Sequence, residues 1–333
     1  MLSKILAIFL LIISMTALWL WNEYNNVLTT PVVLEKPRIL EIKKGDSFKQ
    51  ITNKLLEQEI AIKPRWFKFI AKQNNVSHKL KAGEFELKVG LTMPEILAVL
   101  AEGKSRQYSI TFPEGWSFKQ IMQAIQKNKY LDKTLNPSDL QNIMTKIGSE
   151  YQHPEGMFFP ETYYFEKNTS DLTLLKRAYG KMQHILNEEW KNREKNLPID
   201  TPYKTLILAS IIEKETGAKI ERPEIAGVFT RRLKKGMRLQ TDPTVIYGMG
   251  DNYNGNIRHK DLRQATPYNT YVINGLPPTP IAMPGKAAIQ AALHPTKGKS
   301  LYFVAKADGT GMHYFSSSLK EHNNAVNKYQ RKR

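Results

Sequence analysis

The chain has 333 residues, 41% of them hydrophobic, which suffices for a sizeable core and two domains behind the N-terminus and excludes a wholly disordered protein. Its formal charge of +18 favours polyanionic surroundings, whether nucleic acid, anionic lipid headgroups or a carboxylate-bearing glycan; apart from the Arg331-Lys332-Arg333 end the basic residues are scattered, as on a solvated surface, so charge alone does not choose. It has no cysteine, which excludes disulfides, thiolate nucleophiles and Cys-ligated zinc and fits an exported protein.

Ile5 to Trp21 is an apolar run broken only by Ser14 and Thr16 and preceded by Lys4. As a helix it spans roughly 25 Å at about 1.5 Å per residue, and Trp19 and Trp21 extend its reach into the membrane interface. A cleaved signal peptide is the rival reading, but no small-x-small cleavage site follows and the run exceeds a usual signal core. Residues 1–24 therefore read as a single-span anchor. Lys4 on the cytoplasmic side places the rest outside the cytoplasm, which argues against a nucleic-acid partner. Thr29-Thr30-Pro31 and Lys36-Pro37 then break any helix, so residues 25–37 read as a tether.

An internal similarity follows. Gly45-Asp46-Ser47-Phe48-Lys49-Gln50-Ile51 recurs as Gly115-Trp116-Ser117-Phe118-Lys119-Gln120-Ile121, and more loosely as Gly90-Leu91-Thr92-Met93-Pro94-Glu95-Ile96. The two close copies follow strand-like stretches, 39–42 and 108–112, and all three supply a capping box, so the common unit is strand, turn, capped helix. Any strand-to-helix junction can select such residues. Leu40 to Leu56 nevertheless resembles the start of a LysM module, a small βααβ glycan-binding fold, with Phe85 to Leu87 as its return strand. Residues 38–105 are expected to form this LysM-like domain, and 106–150 a connecting region carrying the second strand–helix unit.

A helix is predicted over 172–194, where Leu174, Leu175, Ala178, Met182, Ile185 and Leu186 recur at helical spacing. Tyr203 to Gly217 predicts a strongly apolar helix that runs into charge at its end. On it Glu213 shares a face with Leu206, Ala209 and Ser210, whereas Glu215 is rotated by roughly 200°. Glu213 thus points to the buried side, where desolvation raises a carboxyl pKa toward that of a general acid; a surface glutamate that ends a helix is the plainer alternative. No His-Glu-x-x-His cluster, Gly-x-Ser-x-Gly elbow or phosphate-binding glycine loop is present, so neither metal nor cofactor is expected.

Several blocks occur in order: 155–163 (Glu155-Gly156-Met157-Phe158-Phe159-Pro160-Glu161-Thr162-Tyr163), 208–216 (Leu208 through Glu213-Lys214-Glu215-Thr216), 238–248 (Arg238-Leu239-Gln240-Thr241-Asp242-Pro243 to Gly248), Pro267-Tyr268-Asn269-Thr270-Tyr271, Gly275-Leu276-Pro277-Pro278 and His294-Pro295. Together they resemble the catalytic domain of the MltG (YceG-like) endolytic murein transglycosylases, over residues 151–333.

The resemblance implies an α+β ectodomain with a mixed α/β catalytic domain and Glu213 as general acid/base. It also implies peptidoglycan strands as substrate, a bacterial plasma-membrane location with the catalytic domain on the extracytoplasmic side, and peptidoglycan synthases as partners. The implied reaction cleaves the MurNAc–GlcNAc bond and leaves a 1,6-anhydro end without water. Gln240, Tyr247, Tyr268, Asn269 and Tyr271 carry amide and aromatic groups suited to sugars, and Glu155 joins them as a substrate-binding candidate; each equally suits a core or loop support. Asp242 is the second carboxylate of a hydrolytic muramidase reading or, before Pro243, a simple turn residue. A non-catalytic peptidoglycan-binding scaffold is the other alternative. Glu161 stands where the family often has aspartate, which leaves its role open.

Overall fold

The computed structural model describes residues 2–331; Met1, at the start of the expected anchor, and Lys332 and Arg333 of the basic end lie outside the described residues. The chain divides into two compact units. One runs up to Tyr108 and includes Tyr164–Asn168; the other comprises Ser109–Tyr163 and the residues from Thr169 onward.

The first unit opens with α1 (Leu2–Thr29), whose apolar side chains between Ile5 and Trp21 are exposed. Ser3–Thr29 is long and apolar enough to cross a membrane, as in a single-pass membrane protein. The following β1 (Arg38–Ile42), α2 (Phe48–Glu57), α3 (Pro64–Gln73) and β2 (Gly83–Leu87) form a β-α-α-β unit in which β1 pairs antiparallel with β2, Leu40 opposite Phe85. α4 (Met93–Glu102) packs against α3 and β2. Leu40, Ile51, Leu55, Phe67, Phe85 and Leu100 are buried in one core. The predicted capping boxes form at Ser47/Gln50 and Thr92/Glu95.

The segment 25–37, expected as a tether, is instead part of this core. The helix continues through Thr29, past the expected end of the anchor at residue 24, and Val27, Val32 and Leu34 are buried. Val32 N–H donates to the Leu91 carbonyl at 2.8 Å, and Pro31 bridges to Thr92. Thr30 and Pro31 end the helix as read, but three apolar residues around them have enough surface to bury that the chain turns back onto the fold.

The chain leaves the first unit within β3 (Gln107–Thr111), so 109–150 belongs with the residues after it rather than forming a separate connection. There follow α5 (Phe118–Lys127), capped by Ser117/Gln120, then β4 (Leu131–Asp132), α6 (Leu140–Ile147), β5 (Thr162–Glu166), which pairs with β3, and β6 (Thr169–Ser170), parallel to β4. α7 (Asp171–Lys191) matches the predicted 172–194 helix closely, and buries Leu174, Leu175, Ala178, Met182 and Leu186. α8 (Pro202–Glu215), α9 (Arg222–Lys234), α10 (Asp242–Met249) and α11 (Lys286–Leu293) complete the helical core, with α11 packed on α7, α8 and α9. An antiparallel pair, β7 (Tyr302–Ala305) and β8 (His313–Ser316), and α12 (Leu319–Tyr329) close the unit.

Candidate active site

α8 is capped by Thr201, whose side chain accepts from Lys204 N–H, and carries Pro202 in its first turn, where a missing N–H costs nothing. Every residue from Thr205 to Ile212 is buried, so the helix is a central rod of the second unit and its last turn delivers Glu213 from a rigid base. The Glu213 side chain is 4% exposed. Its Oε1 accepts from Arg222 Nη2 at 2.6 Å and its Oε2 from Gly285 N–H at 2.9 Å. Desolvation raises the Glu213 pKa above the usual carboxylate value; the Gly285 N–H and then the Arg222 charge pull it back, and Glu114 pushes it up.

Arg222 opens α9 and is itself buried. The same Nη2 lies 3.5 Å from Glu114 Oε2, whose side chain is 39% exposed. Arg222 Nε and Nη1 have no protein partner, so a single nitrogen serves both carboxylates instead of a two-pronged clamp on one. Gly285 makes the cluster possible. A Cβ there would lie 2.0 Å from Glu114 Oε1, so only glycine lets that carboxylate approach the backbone that holds Glu213. The 113–117 loop is stitched to this strip by Gly115 N–H to the Met283 carbonyl at 2.9 Å and Met283 N–H to the Trp116 carbonyl at 2.7 Å.

A second group of predicted residues lines an open cleft of ≈ 980 Å³ that includes Phe118, Met122, Glu155, Tyr247 and Tyr268, but not Glu213. Glu155 is buried; it accepts from Phe118 N–H at 3.0 Å and from Tyr247 O–H at 3.2 Å. Burial pushes its carboxyl up to about 7 against these stabilising contacts. Gly156 is in the left-handed region (φ 76°) against Pro280, where a Cβ would approach to 2.4 Å, so the turn presenting Glu155 requires glycine. Tyr247 and Tyr268 meet edge to face at 4.8 Å, and Tyr268 O–H lies 2.9 Å from Thr279 Oγ1.

The third group gathers where the end of α8 meets the start of α10. Tyr271 O–H donates to Asp242 Oδ1 at 2.6 Å, and burial first, then this bond, raises the Tyr271 pKa. Glu215 accepts from Thr241 Oγ1; desolvation pushes it up to about 7, and the neighbouring Asp242 charge adds to the rise. Arg232 donates to the Leu239 carbonyl at 2.8 Å and to Gln240 Oε1 at 3.4 Å, holding the turn in which Gln240 adopts φ 51°. Such a non-glycine left-handed residue is strained and needs surrounding support. Asn269, by contrast, is buried, its Nδ2 donating to the carbonyls of Asp261, Leu262 and Gln264 and its Oδ1 accepting from Tyr271 N–H. Glu161 pairs with Lys181 at the surface.

The structure thus distributes the predicted residues over three neighbourhoods and adds three that sequence reasoning missed, Arg222, Glu114 and Gly285. The Pro113-Glu114-Gly115 stretch between a strand and a capped helix was a usable signal for Glu114. Arg222, next to Pro223 at a helix start, carried none.

A buried carboxylate on a rigid helix, gripped by one cation and one backbone amide, has a setting suited to acid/base chemistry, and the second unit also carries an aromatic-lined cleft. The YceG-like family model matches residues 40–328, and the chain belongs to the YceG-like family. It is 34% identical over 325 residues to the endolytic murein transglycosylase of Bacillus subtilis (strain 168), covering 92% of this chain and 89% of that one. The endolytic murein transglycosylase of Streptococcus pneumoniae (strain D39 / NCTC 7466) is 28% identical over 319 residues, and the chain spans 57% of that relative's length. The crystal structure of the yceG-like protein from Listeria monocytogenes superposes with a TM-score of 0.57 at 31% identity, covering 87% of this chain and 99% of that one.

Proposed function

We propose that the chain is an endolytic peptidoglycan transglycosylase, a lyase that cuts the MurNAc–GlcNAc bond within glycan strands, with Glu213 as its acid/base. The observation that carries this is the buried Glu213 carboxylate held by Arg222 and Gly285, in a chain that matches a B. subtilis endolytic murein transglycosylase over nearly its whole length.

Protonated Glu213 gives its proton to the glycosidic oxygen as the bond to the muramic acid C1 breaks. The muramic acid C6 hydroxyl attacks C1 and returns its proton to the same carboxylate. Proton and catalyst are regenerated, no water enters, and the product carries a 1,6-anhydro end. Burial supplies the raised pKa that lets Glu213 hold a proton, and the Gly285 N–H fixes its orientation. When Glu213 is protonated, Arg222 keeps Glu114 as its counter-ion, so the buried cation is never left alone. Tyr247, Tyr268 and Glu155 form the cleft that takes the strand; Gln240 and Tyr271 stand outside its lining, and Asn269 shapes the loop that carries Tyr268 and Tyr271. Asp242, bonded to Tyr271 and adjoining Glu215, is engaged there and is poorly suited to serve as partner carboxylate to Glu213, which weighs against hydrolysis.

In the same reading α1 spans the bacterial plasma membrane uncleaved, since its last turns are built into the core, and the enzyme works on the extracytoplasmic side on strands delivered by peptidoglycan synthases. The β-α-α-β arrangement from Arg38 to Leu87 supports a LysM-like glycan-holding module. Digestion in water enriched in oxygen-18 tests the chemistry: the transglycosylase leaves ends free of solvent oxygen, whereas a hydrolase places one labelled oxygen on every new reducing end.

A further inference from the structure

We propose that the outer face of α3 is a second membrane contact, seated in the headgroup layer of the bilayer that α1 spans and selective for anionic phospholipid. The proposal rests on the reading of α1 as a membrane span. Trp19 and Trp21, 63% and 66% exposed, mark the interface end of the apolar run. Tyr24 follows three residues later, about 4.5 Å further along the helix, within a headgroup layer roughly 5–7 Å deep on each side.

At that level the first unit is fastened to α1. The Tyr24 ring lies 5.4 Å from Trp66 and 5.8 Å from Phe69, and Lys63 Nζ is 2.9 Å from Glu23 Oε1. α3 turns Phe67, Ile70 and Ala71 into the core, yet leaves Phe69 53% exposed. An open cleft of ≈ 710 Å³ between Trp19, Leu20, Pro64, Trp66 and Phe69 joins this aromatic face to the exposed apolar surface of α1.

Apart from Glu23, which lines the cleft paired with Lys63, the charges on α3 have one sign. Arg65, Lys68 and Lys72 are exposed on α3, and the helix contains no acidic residue. Exposed aromatics ringed by cations and continuous with a spanning helix match an anionic interface, where the rings enter the acyl boundary and the cations meet phosphates. Such a contact would fix the height and tilt of the first unit above the membrane.

The test uses the full chain in nanodiscs, with single environment-sensitive labels at Ile13→Cys, Phe69→Cys or Glu59→Cys; no native cysteine interferes. Lys72→Cys repeats the Phe69 measurement with the ring retained. In discs containing phosphatidylglycerol the Ile13, Phe69 and Lys72 labels should be quenched by nitroxide lipid and shielded from iodide, and the Glu59 label the reverse. Replacing Arg65, Lys68 and Lys72 by Gln should lower the docked-to-undocked ratio read at Phe69 by on the order of tenfold or more. A lipid-embedded Ile13 label with a water-exposed Phe69 label overturns the α3 contact and leaves the span intact. Shielding of Phe69 from both quenchers also overturns it, in favour of a protein partner. Water exposure of Ile13 removes the membrane reading itself.

Discussion

Arg222→Gln separates a cation that tunes Glu213 from one that only fills space. Arg222 meets Glu213 at 2.6 Å where both side chains are 4% exposed. Removing one member of a buried pair costs about 3–5 kcal/mol if the other stays charged. Glu213 avoids part of that loss by holding its proton, because its pKa is already raised by desolvation and loses the lowering influence of Arg222. The loss in the variant should therefore be small near pH 4, below the ordinary glutamate value of 4.5, where the raised folded value keeps Glu213 protonated in both proteins. It should grow as pH rises past the folded value of the wild type and level off above the still higher value of the variant. With about 2–4 °C of melting temperature per kcal/mol, the difference from wild type at pH 8 is roughly 6–20 °C. Activity gives an independent reading. A general acid must carry its proton, so activity falls as pH rises through its pKa, and the variant should move this alkaline limb to higher pH, with Arg222→Lys moving it back. An unmoved limb together with an equal melting loss at pH 4 and pH 8 would refute the electrostatic role.

Glu114→Gln removes a negative charge that raises the Glu213 pKa, so the alkaline limb should shift to lower pH. Gly285→Ala should have the same effect without further change in the double variant, since its Cβ displaces the Glu114 carboxylate while the backbone φ of −78° suits alanine; additive shifts in the pH–rate profile would contradict this. Glu155 rises from an ordinary 4.5 to about 7, so the folded state disfavours its charged form by about 3 kcal/mol above pH 7, a penalty absent below 4.5. Melting curves of Glu155→Gln should accordingly lie above wild type at pH 8 and converge with it near pH 4. Asn269→Ala strands three loop carbonyls and should lower stability by about 2–5 kcal/mol in denaturant titrations, with KM unchanged in the folded protein; a raised KM at full stability would return Asn269 to the substrate.

Local structure was readable wherever neighbours in the chain decide it. The capping boxes at Ser47, Thr92 and Ser117 are contacts three residues long. Helical spacing set Glu213 on a buried side apart from Glu215, but α8 is buried all round and both carboxylates are desolvated. The candidate site was readable only in part. Glu213 announced itself by its apolar neighbours, but its partners come from elsewhere: Gly285 lies 72 residues away, and Glu114 reaches Arg222 across 108. No periodicity encodes such pairings. Segment 25–37 misled for a related reason. Val27, Val32 and Leu34 lack a repeating pattern, and only the packed core shows that they have a surface to cover. Asp242 lay open to two roles, and its bond to Tyr271, 29 residues away, is a contact that no spacing encodes.

The central claim is that Glu213 both gives and receives the proton of a cleavage that excludes water. Mass spectrometry of purified glycan strands after incubation with the full chain in nanodiscs, beside a Glu213→Gln variant of unchanged melting temperature, tests it most directly. The wild type should give 1,6-anhydro-ended fragments and the variant should leave the strands intact. Reducing ends from the wild type, or anhydro ends from the variant at a comparable rate, would contradict it.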